Sequence, residues 1–273
     1  MTSPPRCPGV MAKWACILEV MARKPGNVNR FHDHESAHLM DFLRSAEAIE
    51  GPMNRARREG VGATVLEAVQ ATDLVAGTNT NLGMILLLAV LAARQESGRR
   101  GVRQVLEKLT PEDAKDVYKA IRLAKPGALG EVENEDVSEP PTVSLVEAMR
   151  LAENRDLVAR QFANGFAEVF DPVLADLREA TQEGRPLEVA IVSVHLRLMA
   201  REPDTLIARK RGWAVATESA ARAREVLEAG WPDAEGSAER LEALDAWLRA
   251  DGNGRNPGTT ADLVCAGLFE GLT

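Results

Sequence analysis

The segment Leu82–Ala93 is apolar at every position except Gly83. It is too short to cross a bilayer, which takes about 20 residues, and it lacks the apolar–polar alternation of a half-exposed strand. A helix that is apolar all round has to be enclosed by other elements. The chain must therefore wrap this segment in further structure, and the remaining sequence favours helices for that shell. Alanine, leucine, glutamate and arginine dominate, aromatic residues make up 4%, and Tyr118 is the one tyrosine. That balance favours helix over strand. With 273 residues, 45% of them hydrophobic, the chain can bury a core without disulfide or metal staples.

Residues 1–10 carry three prolines and a glycine and read as a flexible N-terminal tail. Residues 11–273 read as a single compact all-α domain of many helices, with no substantial sheet. Apolar residues at helical spacing predict a helix over 11–23, stopped by Lys24-Pro25-Gly26-Asn27. A second is expected over 37–58, with a break near Gly51-Pro52, and a third over Val61–Ala76. Residues 98–101 read as a basic turn. Thr110-Pro111-Glu112-Asp113 opens the next helix with a cap, a first-turn proline and two acids that suit the helix dipole. Residues 130–141 are acidic and without period, as in a loop. Further helices are expected over 143–152, 155–170, 172–182, 187–200, 207–229, 235–250 and 259–272. Residues 187–194 are rich in valine and isoleucine and suit a strand as well as a helix, the helix being preferred. No repeat of fixed period is visible, nor any linker between separate cores.

Charge narrows the function. Forty-one acids against 33 bases leave a net charge of −8, which argues against a general nucleic-acid binder. A local basic pocket for a small phosphorylated ligand remains compatible with it. The three cysteines, Cys7, Cys16 and Cys265, show no paired spacing, which suits a reducing compartment. Lys13 and Glu19 interrupt the apolar residues near the start, so no export signal is expected. A cytoplasmic protein without a membrane segment is the expectation.

Four bends share one form, a glycine with polar residues beside an apolar helix: Lys24-Pro25-Gly26-Asn27-Val28, the run from Gly77 through Asn79, Thr80 and Asn81 to Gly83, Lys125-Pro126-Gly127 with Gly130-Glu131, and Asn256 through Gly258 and Thr259 to Asp262. Free amides at helix starts are ready anion sites. Any one bend alone is better explained by simple capping; several together point to a shared phosphate site. None has the GxxxxGK[ST] spacing of a P-loop, and Gly60-Val61-Gly62 lacks a third glycine at the dinucleotide offset.

Acids form a second pattern. Asp33, Glu35 and Asp41 lie among His32, His34 and His38, while Glu131, Glu133 and Asp136 follow Lys125. Loop carboxylates suit Mg²⁺ when a polyphosphate is bound, and equally suit a solvated acidic surface. The H-x-H-x3-H spacing has no cysteine and is no recognised zinc set. His38 and Asp41 fall on one helix face, which suits a proton carrier and its orienting acid. Lys24, Arg30, Arg44, Lys125, Arg209, Lys210 and Arg211 are the bases near these bends. The run 209–211 reads either as a phosphate clamp or as a solvated helix face, the second being favoured. His195, alone in an apolar helix, reads as a satisfied core residue, and Cys16 and Cys265 as core packing.

Taken in order, five blocks resemble the triphosphoribosyl-dephospho-CoA synthase family. Lys24-Pro25-Gly26-Asn27-Val28 resembles its KPG-x-V block, and Ala37-His38-Leu39-Met40-Asp41 its AH-x-MD segment. Gly77-Thr78-Asn79-Thr80-Asn81-Leu82-Gly83 is similar to its G-[VT]-NT-x-x-G block, Gly130-Glu131-Val132-Glu133 to its E-V-E loop, and Pro257-Gly258-Thr259-Thr260-Ala261-Asp262-Leu263 to its SPGGSADL close. Ser36 stands where the family has glycine, and Leu129-Gly130 where it has Arg-Gly. Those departures, with an insertion over 134–141, resemble a divergent archaeal and bacterial branch.

The resemblance implies a transferase that uses ATP as a ribosyl donor. The 2′-hydroxyl of dephospho-CoA attacks C1′ of the ATP ribose, adenine leaves, and the triphosphate stays on the transferred sugar through an oxocarbenium-like transition state. ATP, a small nucleotide-like acceptor and Mg²⁺ are the implied ligands, with no nucleic-acid or membrane partner; a homodimer is left open. Carried over residue by residue, Lys24, Asn27 and Arg30 hold phosphates, and Asn79, Thr80 and Asn81 bind phosphate or ribose. Glu131 and Glu133 hold Mg²⁺, with Glu131 also a candidate base. His38 and Asp41 sit at the reacting centre. Gly258 and Thr259 offer backbone amides, and Asp262 closes the pocket. Two rival readings stay open: another nucleotide-dependent transferase of cofactor synthesis, for example pterin-linked one-carbon cofactors, and a non-catalytic helical scaffold.

Overall fold

A computed structural model describes residues 7–34, 37–126 and 136–272. In chain order the helices are α1 (Pro8–Met21), α2 (Leu39–Ala48), α3 (Glu50–Glu59), α4 (Val61–Ala76), α5 (Leu82–Ala93), α6 (Gly98–Leu106), α7 (Pro111–Ala124) and α8 (Leu145–Ala152). Then come α9 (Leu157–Asn164), a π-turn (Val169–Val173), α10 (Leu174–Gln182), α11 (Leu187–Arg201), α12 (Thr205–Arg211), α13 (Trp213–Glu228), α14 (Ser237–Arg249) and α15 (Gly258–Leu272). Among the described residues there is no strand. The β-type pairing consists of isolated bridges, Asn29–His32 and His34–Ala37. The all-α fold expected from composition is the fold observed.

Helix α5 runs through the middle. Ile85, Leu87, Leu88, Ala89 and Val90 have no solvent exposure, and α1, α3, α4, α9 and α15 pack around them. At its far end Arg94 forms a buried ion pair with Glu270 of α15, 2.5 Å apart. A second, smaller core joins α11, α13 and α14 through Val192, Leu196, Met199, Val226 and Leu244. Helix α12 bridges the two, packing on α13 and on α15.

Several boundaries differ from the sequence expectation, each for a local reason. The tail expected over 1–10 gives way to helix at Pro8. Proline suits a helix start, and the Gly9 amide donates to Asn54 Oδ1 at 2.8 Å. The expected basic turn at 98–101 is instead the start of α6, whose Val102 and Leu106 are buried. The helix over 37–58 breaks at Ile49, not at Gly51-Pro52. Pro52 lies in the first turn of α3, where a missing N–H costs no hydrogen bond. Gly212, at φ 87°, divides the helix expected over 207–229. The helix over 155–170 is trimmed to α9 by the Asp156 cap and by Gly165 at φ 74°. Pro172 falls inside the π-turn rather than starting α10. Residues 187–194, which suited either structure, are helical, with Ile191 and Val194 in the interior.

Candidate active site

A cavity of about 680 Å³ opens where the amino ends of α5, α9, α12 and α15 approach the carboxyl ends of α4 and α7. All four glycine-bearing bends reach it. Asn27 comes from the first, Gly77 to Gly83 form its floor, and Gly258, Thr259 and Asp262 come from the last. The third bend contributes Lys125 and Pro126. Its continuation, with Glu131 and Glu133, lies outside the described residues, as does Glu35.

Hydrogen bonds fix three of the bends. The Gly26 amide donates to Asp245 of α14 at 2.7 Å, and Arg249 donates to the Asn27 carbonyl, also at 2.7 Å. The Asn27 side chain in turn donates to Asn256 Oδ1 at 3.0 Å, so the first and last bends touch. The Asn79 side chain accepts from the Leu82 amide at 3.2 Å. Thr80 donates to Ser45 of α2 at 2.7 Å. Asn81 caps α5 and is nearly enclosed, and its side-chain nitrogen has no partner among the described residues.

Asp204 joins two of the helix starts. It accepts from the Leu206 and Ile207 amides of α12 and from both the amide and hydroxyl of Thr260 in α15. That tie sets Arg209 and Lys210 on the wall beside Thr259 and Asp262. Arg209 pairs with Asp156, the cap of α9. Lys210 donates to the Asn253 carbonyl at 3.0 Å, and burial, then the neighbouring Arg209, push its ammonium pKa down. Lys125 and Arg155 complete a basic wall. The same cavity has an apolar lobe of Val69, Met84, Tyr118, Ile121, Met149 and Val158.

Two wall residues went unnoticed in the sequence. Arg155 and Asp156 carry no motif; only the Asp156 capping position, two residues before Val158, signals them. His34 also lines the cavity. Burial, followed by the charges of Arg249 and Lys210, lowers its pKa to about 4, so it is neutral near pH 7. The run 209–211 divides: Arg209 and Lys210 face the cavity, while Arg211 pairs with Asp251 outside it.

Other candidates lie elsewhere. Lys24 has no solvent exposure. Its ammonium pairs with Glu19 Oε1 at 3.0 Å and donates to the Glu19 and Ala22 carbonyls. Arg30 pairs with Glu188 at 2.8 Å and stacks over Phe31. His38 is exposed and lies 3.3 Å from Asp33. Asp41 accepts from the His38 amide at the start of α2. None of these four lines the cavity. His195 is buried as expected but not satisfied, since both ring nitrogens lack partners among the described residues. Cys16 and Cys265 are buried free thiols with sulfurs 3.7 Å apart. Among the described residues no three acids, histidines or cysteines gather as a metal site, and no helix is long and apolar enough to cross a membrane.

The model of the CitG family, described as ATP:dephospho-CoA triphosphoribosyl transferase, matches residues 5–273. No curated protein matches the chain. Among solved structures, an Archaeoglobus fulgidus protein to which triphosphoribosyl-dephospho-CoA synthase identity has been attributed is similar at 24% identity and a TM-score of 0.66. The match covers 84% of this chain and 97% of that one, and at that identity it speaks to the fold.

Proposed function

Because the chain belongs to the ATP:dephospho-CoA triphosphoribosyl transferase family, we propose that its cavity is the site where the triphosphoribosyl group of ATP is passed to the 2′-hydroxyl of dephospho-CoA or a close relative. One observation carries the reading. The glycine-bearing bends at 26–27, 77–83 and 256–262 share a single cavity with the cations of α12. A polyphosphate needs such a set: amides at helix starts, guanidinium forks and an ammonium. Arg155, Arg209, Lys210 and Lys125 hold the triphosphate. Asn79 and Asn81 bind ribose or phosphate oxygens, and the backbone of Gly258 and Thr259 offers amides. The apolar lobe takes a base ring.

Mg²⁺ fits this arrangement as a phosphate-borne ion. It is usually held by one or two carboxylates with substrate oxygens rather than by a protein cage, and the described residues gather no cage. Glu131 and Glu133 are the carboxylates assigned to it; when bound, the ion neutralises polyphosphate charge. Glu131 also receives the proton of the attacking hydroxyl. His38 and Asp41 act as positioning residues. Ser45 donates to the Asp41 carbonyl and accepts from Thr80, so the start of α2 holds the floor bend.

The test is product identity. With ATP and dephospho-CoA, ribosyl transfer releases free adenine and no ADP, and the acceptor gains the mass of a triphosphoribosyl group. ADP formation would point to phosphoryl transfer and defeat the reading. Glu131→Gln should lower turnover at least about a hundredfold if Glu131 is the base.

A further inference from the structure

We infer that Asp262 is the acid that protonates the departing adenine. The inference rests on the transfer reaction proposed above and adds the residue that lets the C1′–N9 bond break. Adenine is a poor leaving group as an anion, so a donor must meet a ring nitrogen as the bond opens. That donor has to sit on the cavity wall, within reach of the bound nucleotide, and it has to carry a proton at working pH.

Asp262 lies there. It belongs to the first turns of α15, beside Arg209 and against the start of α5. A Cβ on Gly83 would collide with its carboxyl group, so the glycine of the floor bend makes room for this acid. No hydrogen bond or ion pair to its oxygens occurs among the described residues. The other acids that face it are spoken for: Glu19 pairs with Lys24, Asp156 accepts from two amides and pairs with Arg209, and Asp204 accepts from Thr260 and the α12 amides.

The charged groups that face Asp262 are Glu19 from α1, Asp204 ahead of α12, Asp156 ahead of α9 and Arg209 from α12; α5 brings none. Burial first, then the three acids, push its pKa well above the carboxylate range, with Arg209 opposing. A neutral carboxylic acid donates a proton where an ionised one cannot. In the step, the C1′–N9 electron pair goes to adenine and the Asp262 proton goes to an adenine ring nitrogen. The acceptor oxygen bonds C1′ and releases its proton to the base. Solvent then reprotonates Asp262.

Asp262→Asn tests this, because the amide keeps shape and hydrogen-bond donation but cannot give up a proton. Turnover on ATP should fall at least about a hundredfold with KM for ATP within about threefold. The wild-type rate should decline at alkaline pH, and the decline should vanish in the variant. With 2-chloro-ATP, whose base leaves more readily unaided, the variant's deficit should shrink several-fold. A thermal melt should show Asp262→Asn as stable as the wild type at pH 7. Turnover within threefold of wild type, a loss confined to KM, or an equal deficit on both nucleotides would overturn the assignment. If the wild type itself releases no adenine, the transfer reading fails and this assignment falls with it.

Discussion

The tripeptide Lys-Pro-Gly occurs twice, at 24–26 and 125–127, and the two copies end in opposite environments. Lys24 is wholly buried, held by Glu19 and two backbone carbonyls. Lys125 follows α7 in a left-handed conformation, φ 45°, and lies exposed on the cavity wall. The motif is the same; the difference comes from what packs against it. Glu19 is five residues before Lys24, on the buried face of α1, and burial raises its pKa while the Lys24 charge opposes that rise. Lys125 has no such acid inside its own helix core. The lesson is that a lysine in a bend becomes structural when the core next to it contains an acid needing a partner.

The comparison is open to experiment. Lys24→Met should leave Glu19 buried and uncompensated and cost about 3–5 kcal/mol, read by denaturant unfolding, whereas Lys125→Met should change stability by less than about 0.5 kcal/mol. Equal effects would remove the distinction. On catalysis the order should invert. Lys125→Met should raise KM for ATP by about tenfold, worth about 1.4 kcal/mol, with the increase smaller at high salt. Combining Glu19→Gln with Lys24→Met should recover at least about 1 kcal/mol of the Lys24→Met loss; no recovery would mean that the carbonyl contacts, not the ion pair, hold Lys24.

The smallest effect concerns His34, downstream of the first copy. Its folded-state pKa is lowered from 6.5 to about 4, so the unfolded chain binds the proton more readily. Its contribution is complete above pH 6.5 and is lost as pH falls from 6.5 towards 4. Full linkage over that shift would be worth about 2.4 kcal/mol between pH 7 and pH 4.5, but the ring is partly exposed and solvent screens it, so the wild type should lose about 1 kcal/mol more than His34→Gln; parallel pH curves would show that the side chain is not shielded.

Much of the fold was legible in one dimension. Helix α4 begins and ends at the expected residues, and α5 spans the apolar run Leu82–Ala93, because periodicity, Gly77 and the apolar run are local signals. Breaks such as Gly212 and Ile49 were misplaced or missed, since a helix tolerates glycine or proline according to what its neighbours provide. The site was legible only in part. Asn79, Thr80, Asn81, Gly258 and Asp262 announce themselves as polar residues around helix starts. Arg155, Asp156 and His34 do not, because a cavity wall has no period along the chain.

Sequence by itself settled that this is a helical protein built around Leu82–Ala93, and which family's blocks it carries, because helix formation and capping depend on neighbours within a few positions. Tertiary structure alone decided which of the charged residues share a cavity. Asp204 draws α12 onto α15, Glu19 claims Lys24, and Gly83 admits the carboxyl of Asp262. Those pairings join residues far apart in the chain, and charge and burial act through distance in space rather than order in sequence.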